Sequence, residues 1–330
     1  MKKGKANGRC PRADIGGQAV LDGVMMKSPD AVAVAVRRPN GDIVVKREPY
    51  VSPAKKHKWM GWPFIRGSVS MVQMLGLGMR VLEDSMKMSG EGEEEPSKFE
   101  KWLAKKLGKS VDKVVMGTAI VLAVAMSVGL FVLLPNLVIK LFPDTPKDSA
   151  SWTLLLIGYI ALVGQVPDMK KTFQYHGSEH KTVFCHEHDL PLTPQNARQF
   201  SRLHPRCGTS FLLLTFILSI LFYSVIDVLV WKLTGFNLGN HYLWRVLSRL
   251  ILLPCVAGIS YEILKGVAHA ENPLTRALRW PGLQMQRLTT REPSDSQLEV
   301  AIASMNAALH GLPEGEKTPE GWVILHPAAE

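Results

Sequence analysis

Five of the ten histidines and two of the four cysteines crowd into one stretch, Gln174–Phe211. Within it, His176-Gly177-Ser178-Glu179-His180 has the spacing H-x-x-E-H, the inverse of the H-E-x-x-H zinc signature. Two imidazoles at i and i+4 of a helix stand about 6 Å apart on one face. That separation suits a shared divalent ion, zinc before others because imidazole is one of its preferred ligands. Glu179, beside His180, supplies the carboxylate that such chemistry uses to activate water or to orient the site. The expected roles are His176 and His180 as metal ligands and Glu179 as the catalytic base. The competing reading is a pair of core histidines bonded to backbone or carboxylate groups.

A catalytic ion needs further protein ligands and an open position. The candidates are Glu262, His204 and Cys207, the last as thiolate. Glu262 lies in an apolar run, where an ionisable group is costly and finds a partner. That partner is the metal, or else Tyr175, Arg206 or a backbone group. His269, on the same helical face, is a weaker candidate. For His204 the alternative is a cap or hinge, and for Cys207 a small packed residue.

The elements that must position these groups are legible as periodicity. Met169, Phe173, His176, His180, Val183 and Glu187 recur at steps of four and three, which predicts a helix over 169–187. Thr193 before Pro194 predicts a cap and a short helix over 194–203. Upstream, Ala31–Arg38 and Asp42–Glu48 flank Pro39-Asn40-Gly41, a hairpin signal. The glycines of Ile15–Met26 indicate a turn or close backbone approach, not a phosphate loop. Ile65, Val69, Val72, Leu75, Met79, Leu82 and Met86 make one stripe of a long helix over Pro63–Met88. That helix either packs in a core or lies in a membrane interface. Ser294 with Gln297 forms a capping box for a helix that Gly311 ends.

Four apolar stretches read as membrane spans: Val114–Leu134, Trp152–Val166, Phe211–Trp231 and Val246–Leu264. The second is short and needs tilt or a thinned bilayer. Pro254 interrupts the fourth and should kink it. Segments 168–208 and 265–330 carry six Lys/Arg each, against two each in 136–151 and 232–245. By the positive-inside rule both termini and the His/Cys-rich segment are cytoplasmic. No signal peptide is expected at the start. No C-x-x-C pair occurs, so reduced thiols are expected.

The formal net charge is +10, and 22 of the 39 Lys+Arg lie in the first 113 residues. Such a flank points to anionic membrane lipid as a partner. It points away from sequence-specific nucleic acid, because no aromatic-interleaved basic motif accompanies it. The fold class that follows is mainly α, a polytopic membrane protein of about four transmembrane helices with a small N-terminal α+β cytoplasmic part. Its expected parts are a β-containing subdomain at 1–62, an amphipathic helix at 63–88, a charged linker at 89–113 and a membrane domain at 114–268 that includes the cytoplasmic His/Cys-rich segment 169–210. A cytoplasmic tail with one helix at 269–311 and a disordered end at 312–330 complete it.

Several strings are distinctive together: Gly16-Gly17-Gln18-Ala19-Val20 with Gly23-Val24-Met25-Met26, Ile65-Arg66-Gly67, His176-Gly177-Ser178-Glu179-His180-Lys181-Thr182 and His204-Pro205-Arg206-Cys207-Gly208-Thr209-Ser210-Phe211. Gly258-Ile259-Ser260-Tyr261-Glu262, Pro281-Gly282-Leu283 and Thr289-Thr290-Arg291-Glu292-Pro293 follow. On these strings, spread over most of residues 14–310, the chain resembles the YqhQ-type family of bacterial membrane proteins. That family is a domain of unknown function often described as a predicted metal-dependent enzyme. The resemblance implies a multi-pass protein of the bacterial cytoplasmic membrane. Asp22 departs from the family pattern, where Glu is usual, and receives no catalytic role. His186 and His188 fall where the family varies, which counts against them as ligands.

Two functions are expected from different classes. One is a membrane-embedded, metal-dependent hydrolase acting at the cytoplasmic face on a lipid headgroup or a membrane-proximal peptide. The other is a non-enzymatic scaffold or assembly factor whose basic part docks anionic lipid, a ribosome or another membrane protein. A homo-oligomer is compatible with either. A transporter is disfavoured, because no internal repeat is visible.

Overall fold

The computed structural model describes residues 15–89, 158, 161–269 and 272–326. The chain divides into two compact units, Met1–Gly90 with Pro167–Glu330, and Glu91–Val166. The expected span Val114–Leu134, residues 152–157, 159 and 160 of the expected span 152–166, the basic stretch 98–113 and Cys10 lie outside the described residues. The first unit carries the sheet, the His/Cys-rich segment and two long apolar helices.

The strands are β1 Gly16–Val20, β2 Gly23–Lys27, β3 Ala31–Arg37, β4 Ile43–Pro49, β5 Glu316–Lys317 and β6 Val323–Leu325. They form one antiparallel sheet in the order β1-β2-β3-β4-β6-β5. The helices are α1 Pro53–Lys56, α2 Ile65–Ser89, α3 Pro167–Glu187, α4 Pro194–Arg198, α5 Gly208–Thr234, α6 Tyr242–His269, α7 Pro273–Thr289 and α8 Asp295–His310. A 3-10 turn at Lys58–Gly61 leads from α1 toward α2.

Successive strand side chains point to opposite faces. Val24, Met26, Ala33, Ala35 and Val45 face α8 and α3, while Met25, Val32, Val34, Val36 and Val44 face α2. All are buried, so helices cover both faces of the central strands. This is why β3 reads Ala-Val-Ala-Val-Ala-Val with no polar position. The small alanines let α8 approach closely enough for the Ser304 hydroxyl to donate to the Ala33 carbonyl at 3.0 Å. Arg47 Nε likewise donates to the Ala307 carbonyl at 3.0 Å.

Three expectations need correction. The end of the chain is not disordered throughout: β6 pairs with β4, Val45 opposite Val323, and Val323 is fully buried. A three-residue strand is too short to show a period, which is why it was illegible. The tail 269–311 holds two helices rather than one. α7 has a capping box of Asn272 with Thr275 and continues through Pro281, a residue that reads as a breaker in sequence. The short helix after Thr193 stops at Arg198, short of 203. Of the two alternatives for α2, packing of its stripe in a core does not hold: Val72, Leu75, Met79, Leu82 and Met86 are exposed, and Val81 and Met88 pack on the sheet.

Thr215–Thr234 of α5 and Leu243–Ile263 of α6 are long and apolar enough to cross a membrane, by length and composition. They correspond to the third and fourth expected spans. α5 ends where Gly235 takes a left-handed conformation with φ 70°. α6 runs on through Pro254 to His269. Asp227 of α5 accepts from Arg249 of α6 at 2.9 Å, so each charge in this apolar pair has its partner.

Candidate metal centre

α3 departs from the usual one-sided surface helix. Every residue from Gly177 to Val183 is buried, nearly two full turns enclosed on all sides. β1 and α8 pack against it. The segment after α7 crosses it, with Arg291 N–H donating to the Phe173 carbonyl at 2.8 Å. A Cβ at residue 177 would collide with the Arg291 carbonyl oxygen, so this crossing requires Gly177. A glycine inside a helix costs about 1 kcal/mol relative to alanine, and the crossing is the reason it stands there. Lys181 is buried too, and its ammonium donates to the Arg198 carbonyl at 3.0 Å and pairs with Glu292 at 2.9 Å.

The crossing segment also sets the tautomer of the first histidine. His176 Nδ1 lies 2.9 Å from the Thr289 carbonyl oxygen. A carbonyl only accepts, so Nδ1 carries the proton and Nε2 is left with its lone pair. His180 repeats the arrangement, its Nδ1 donating to the Arg202 carbonyl. His180 Nε2 is buried and has no partner. A buried acceptor left unsatisfied costs about 1–3 kcal/mol. The two rings meet edge to face with centroids 4.5 Å apart. Cys207, at the N-cap of α5, brings its sulfur 3.2 Å from His176 Nε2. One ligand atom each from His176, His180 and Cys207 lie within 4.8 Å of one another.

These residues fit a divalent ion. Backbone acceptors engage both Nδ1 atoms and leave each Nε2 as the ligand atom, the outer-sphere arrangement that orients histidine ligands. The orphaned Nε2 of His180 gains a partner when an ion binds. Two nitrogens and a sulfur match the preferences of a borderline-soft ion, and three protein ligands leave a fourth position open. A thiolate at Cys207 would also stand at the N-terminus of α5, where the aligned peptide dipoles favour negative charge.

Glu179 sits at the edge of this group. Its Oε1 accepts from the Gly17 backbone N–H at 3.0 Å, and its Oε2 lies 3.9 Å from His176 Nε2. A Cβ at residue 17 would stand 2.7 Å from Glu179 Cγ and 2.6 Å from the Met25 carbonyl oxygen. Gly17 therefore lets β1 come close enough to hold the carboxylate by main chain. His176 is only partly buried, so the group is not sealed from solvent at that ring.

Two expected ligands are placed elsewhere. Glu262 is bound by the Arg66 guanidinium, Nε to Oε1 at 2.7 Å, and accepts from the Phe64 N–H at 3.3 Å. Its carboxylate is committed to this fork and stands outside the ligand group. His204 lies near but also outside it, its ring centroid 5.6 Å from that of His180. The Gln286 amide accepts from the His204 N–H and donates to its carbonyl, both at 2.8 Å. His204 Nε2 lies 3.4 Å from Glu187 Oε1, and Arg206 pairs with the same carboxylate. Burial alone would raise the Glu187 carboxyl, but the His204 ring and Arg206 hold it below its ordinary value. This network fixes the loop that delivers Cys207. The His269 side chain lies outside the described residues. Cys185 is buried apart, and burial pushes its thiol up.

Gly17, Gln286 and the carbonyls of Arg202 and Thr289 were missed by residue-by-residue reasoning. A backbone carbonyl leaves no mark in sequence. The signal that existed was the set of distinctive strings, which meet in space. Gly17 of the first string touches Glu179, Thr289 and Arg291 of the last hold His176 and cross Gly177, and Arg66 pairs with Glu262.

A family described as "Protein of unknown function (DUF1385)" matches residues 62–311. "Uncharacterized protein YqhQ" of Bacillus subtilis (strain 168) is 34% identical over 323 residues, covering 94% of this chain and 97% of that protein. No solved structure matches. By the family match and the length of this shared identity, the chain belongs to the YqhQ-type family, the one described as DUF1385.

Proposed function

We propose that this is an integral protein of the bacterial cytoplasmic membrane, multi-pass with both termini cytoplasmic, and a metal-dependent enzyme of hydrolase type. The observation that carries the reading is the convergence of His176, His180 and Cys207, with both Nδ1 atoms committed to backbone carbonyls and His180 Nε2 buried without a partner. These three residues would hold the ion, zinc first by the chemistry of the donor set. When bound, such an ion supplies Lewis acidity and makes water a nucleophile at neutral pH. Glu179, fixed by Gly17 beside His176, takes the proton from the attacking water and later delivers it to the leaving group. Arg202 and Thr289 orient the imidazoles through their carbonyls.

One observation favours a second reading. The 3.2 Å contact of His176 Nε2 with Cys207 Sγ can be a thiol hydrogen bond. The cluster would then be a polar network in a non-enzymatic scaffold that docks anionic lipid, a ribosome or another membrane protein.

Metal content of the detergent-purified protein separates the two. The expected result is near-stoichiometric zinc in the wild type by plasma mass spectrometry, lost in His180→Ala and retained in Glu179→Gln. On any substrate the wild type hydrolyses, Glu179→Gln should lower kcat by about 10²–10⁴-fold, the usual worth of a general base. Full metal content in His180→Ala and in Cys207→Ser would sink the assignment. Metal absent from a folded wild type would favour the scaffold.

A further inference from the structure

Two segments share an unusual composition. Pro53–Arg66 reads Pro-Ala-Lys-Lys-His-Lys-Trp-Met-Gly-Trp-Pro-Phe-Ile-Arg, and Pro273–Arg291 carries Arg276, Arg279, Trp280, Arg287 and Arg291. Neither contains an Asp or Glu. Their large apolar side chains are not packed away: Trp59, Trp62 and Trp280 are 50%, 60% and 61% exposed. Tryptophan is normally well covered in a folded chain, so three left open need a surrounding other than water. Lys56, Lys58, Arg276 and Arg287 are exposed as well.

Both segments stand at one end of the apolar helix pair. The first is tied to α6 by the Arg66–Glu262 fork. Glu262 is next to the last residue of the stretch Leu243–Ile263. α7 follows α6 and packs against α5 and α6. Along α7, Leu274 and Leu278 are one turn apart and exposed, while Arg276 and Arg287 share the face turned away from them. An apolar strip with arginines opposite is the pattern of a helix lying in a lipid interface. Aromatic rings beside lysine and arginine at the end of an apolar span mark the headgroup level.

We propose that Pro53–Arg66 and α7 form a basic, aromatic collar that seats this end of α5 and α6 in the headgroup layer of an anionic lipid leaflet. The proposal rests on the membrane placement of α5 and α6 and is independent of the metal. Charge complementarity selects the occupant, because lysines and arginines without carboxylates match lipid phosphate, and the rings match the acyl boundary. The collar fixes the depth of the metal centre. Cys207 precedes the span residue Thr215 on the same helix, about 12 Å away at 1.5 Å per residue. A membrane lipid or a peptide emerging from the leaflet therefore comes within reach of the partly buried His176 without leaving the interface.

The test uses the full chain in vesicles of phosphatidylcholine and phosphatidylglycerol, with bromines high on the acyl chains of one lipid at a time. Trp231 and Trp244 lie within the apolar spans and report insertion by themselves. The wild type should show a quenching component that is stronger with brominated phosphatidylglycerol than with brominated phosphatidylcholine. The variant Trp59→Phe/Trp62→Phe/Trp280→Phe should lose that component and keep the span signal. The variant Lys56→Glu/Lys58→Glu/Arg276→Glu/Arg287→Glu should bring the ratio between the two lipids to one. Equal quenching in the wild type and the Phe variant, with the span signal intact, overturns the collar. A wild-type ratio of one overturns its anionic preference. No quenching of any tryptophan overturns the membrane placement itself, and that result leaves the metal assay untouched.

Discussion

α3 and α5 are consecutive long helices of the described chain, and each inverts the usual rule in its own way. α3 is polar and buried on all sides: Ser178, Glu179, His180, Lys181 and Thr182 follow one another without solvent. α5 is apolar and exposed, with none of its span residues buried. Burying polar groups is tolerable only where each finds a partner. α3 meets most of that condition through main chain, from Thr289, Arg202, Arg198 and Gly17, with Glu292 completing the Lys181 pair, and leaves His180 Nε2 and Thr182 Oγ1 without a partner. Nothing among the described residues covers α5 in the same way, which suits a helix whose solvent is lipid. The difference teaches that α3 is specified by tertiary contacts and α5 by its own composition. Substitutions should therefore weigh heavily in α3 and lightly in α5.

The sharpest way to break this comparison is Gly177→Ala. The added methyl meets the Arg291 carbonyl, a backbone atom that cannot step aside cheaply. Overpacking of this kind costs about 1–3 kcal/mol, and more where backbone must move. Displacing the crossing segment also removes the Thr289 acceptor from His176, a loss worth about 10–100-fold in metal affinity. Competition with a chromogenic chelator and the thermal midpoint should both register the change. The matched control is Ser219→Ala in α5, where an exposed hydroxyl merely returns to the Phe216 carbonyl, and it should be close to neutral. Equal behaviour of the two variants would dissolve the contrast.

A smaller effect is expected at Gly17→Ala. Here the new methyl meets the Met25 carbonyl, but also Glu179 Cγ and Met26 Sδ, which are side chains that can shift. We expect a cost near the low end of the ~1–3 kcal/mol range for overpacking. Metal content should be unchanged, because Glu179 is not a ligand. Loss of metal in this variant would mean that β1 supports the imidazoles as well as the carboxylate.

These expectations also show what a sequence makes legible. The α3 helix and its His176/His180 pair stood out because a four-residue step is a local signal. The apolar helices were legible for a similar reason, since composition alone separates them from the rest. Cys207 was recognisable as a residue type but not as a member rather than His204 or Glu262. Membership depends on how the loop before α5 folds back, and Gln286 decides that from 82 positions away. Glu262 misled because an acid in an apolar run demands some cation, and sequence could not say that Arg66 was it. The C-terminal β6 was invisible because three residues carry no period, while its partner β4 lies at the other end of the chain.

The smallest effect expected concerns the loop that presents Cys207. Glu187 is the last residue of α3 and pairs with Arg206, one position before Cys207. Burial would raise its carboxyl, but His204 and Arg206 outweigh that and hold it low in the folded chain. A carboxyl lowered on folding stabilises the protein fully above its unfolded value, about 4.3, and that contribution fades as pH falls through the folded value. Glu187→Gln should thus lower the thermal midpoint by a few degrees at neutral pH, with the difference from wild type closing in acid. If the two curves stayed parallel down to pH 3, the charge on Glu187 would contribute nothing, and the Gln286 amide alone would hold the loop at the end of α3.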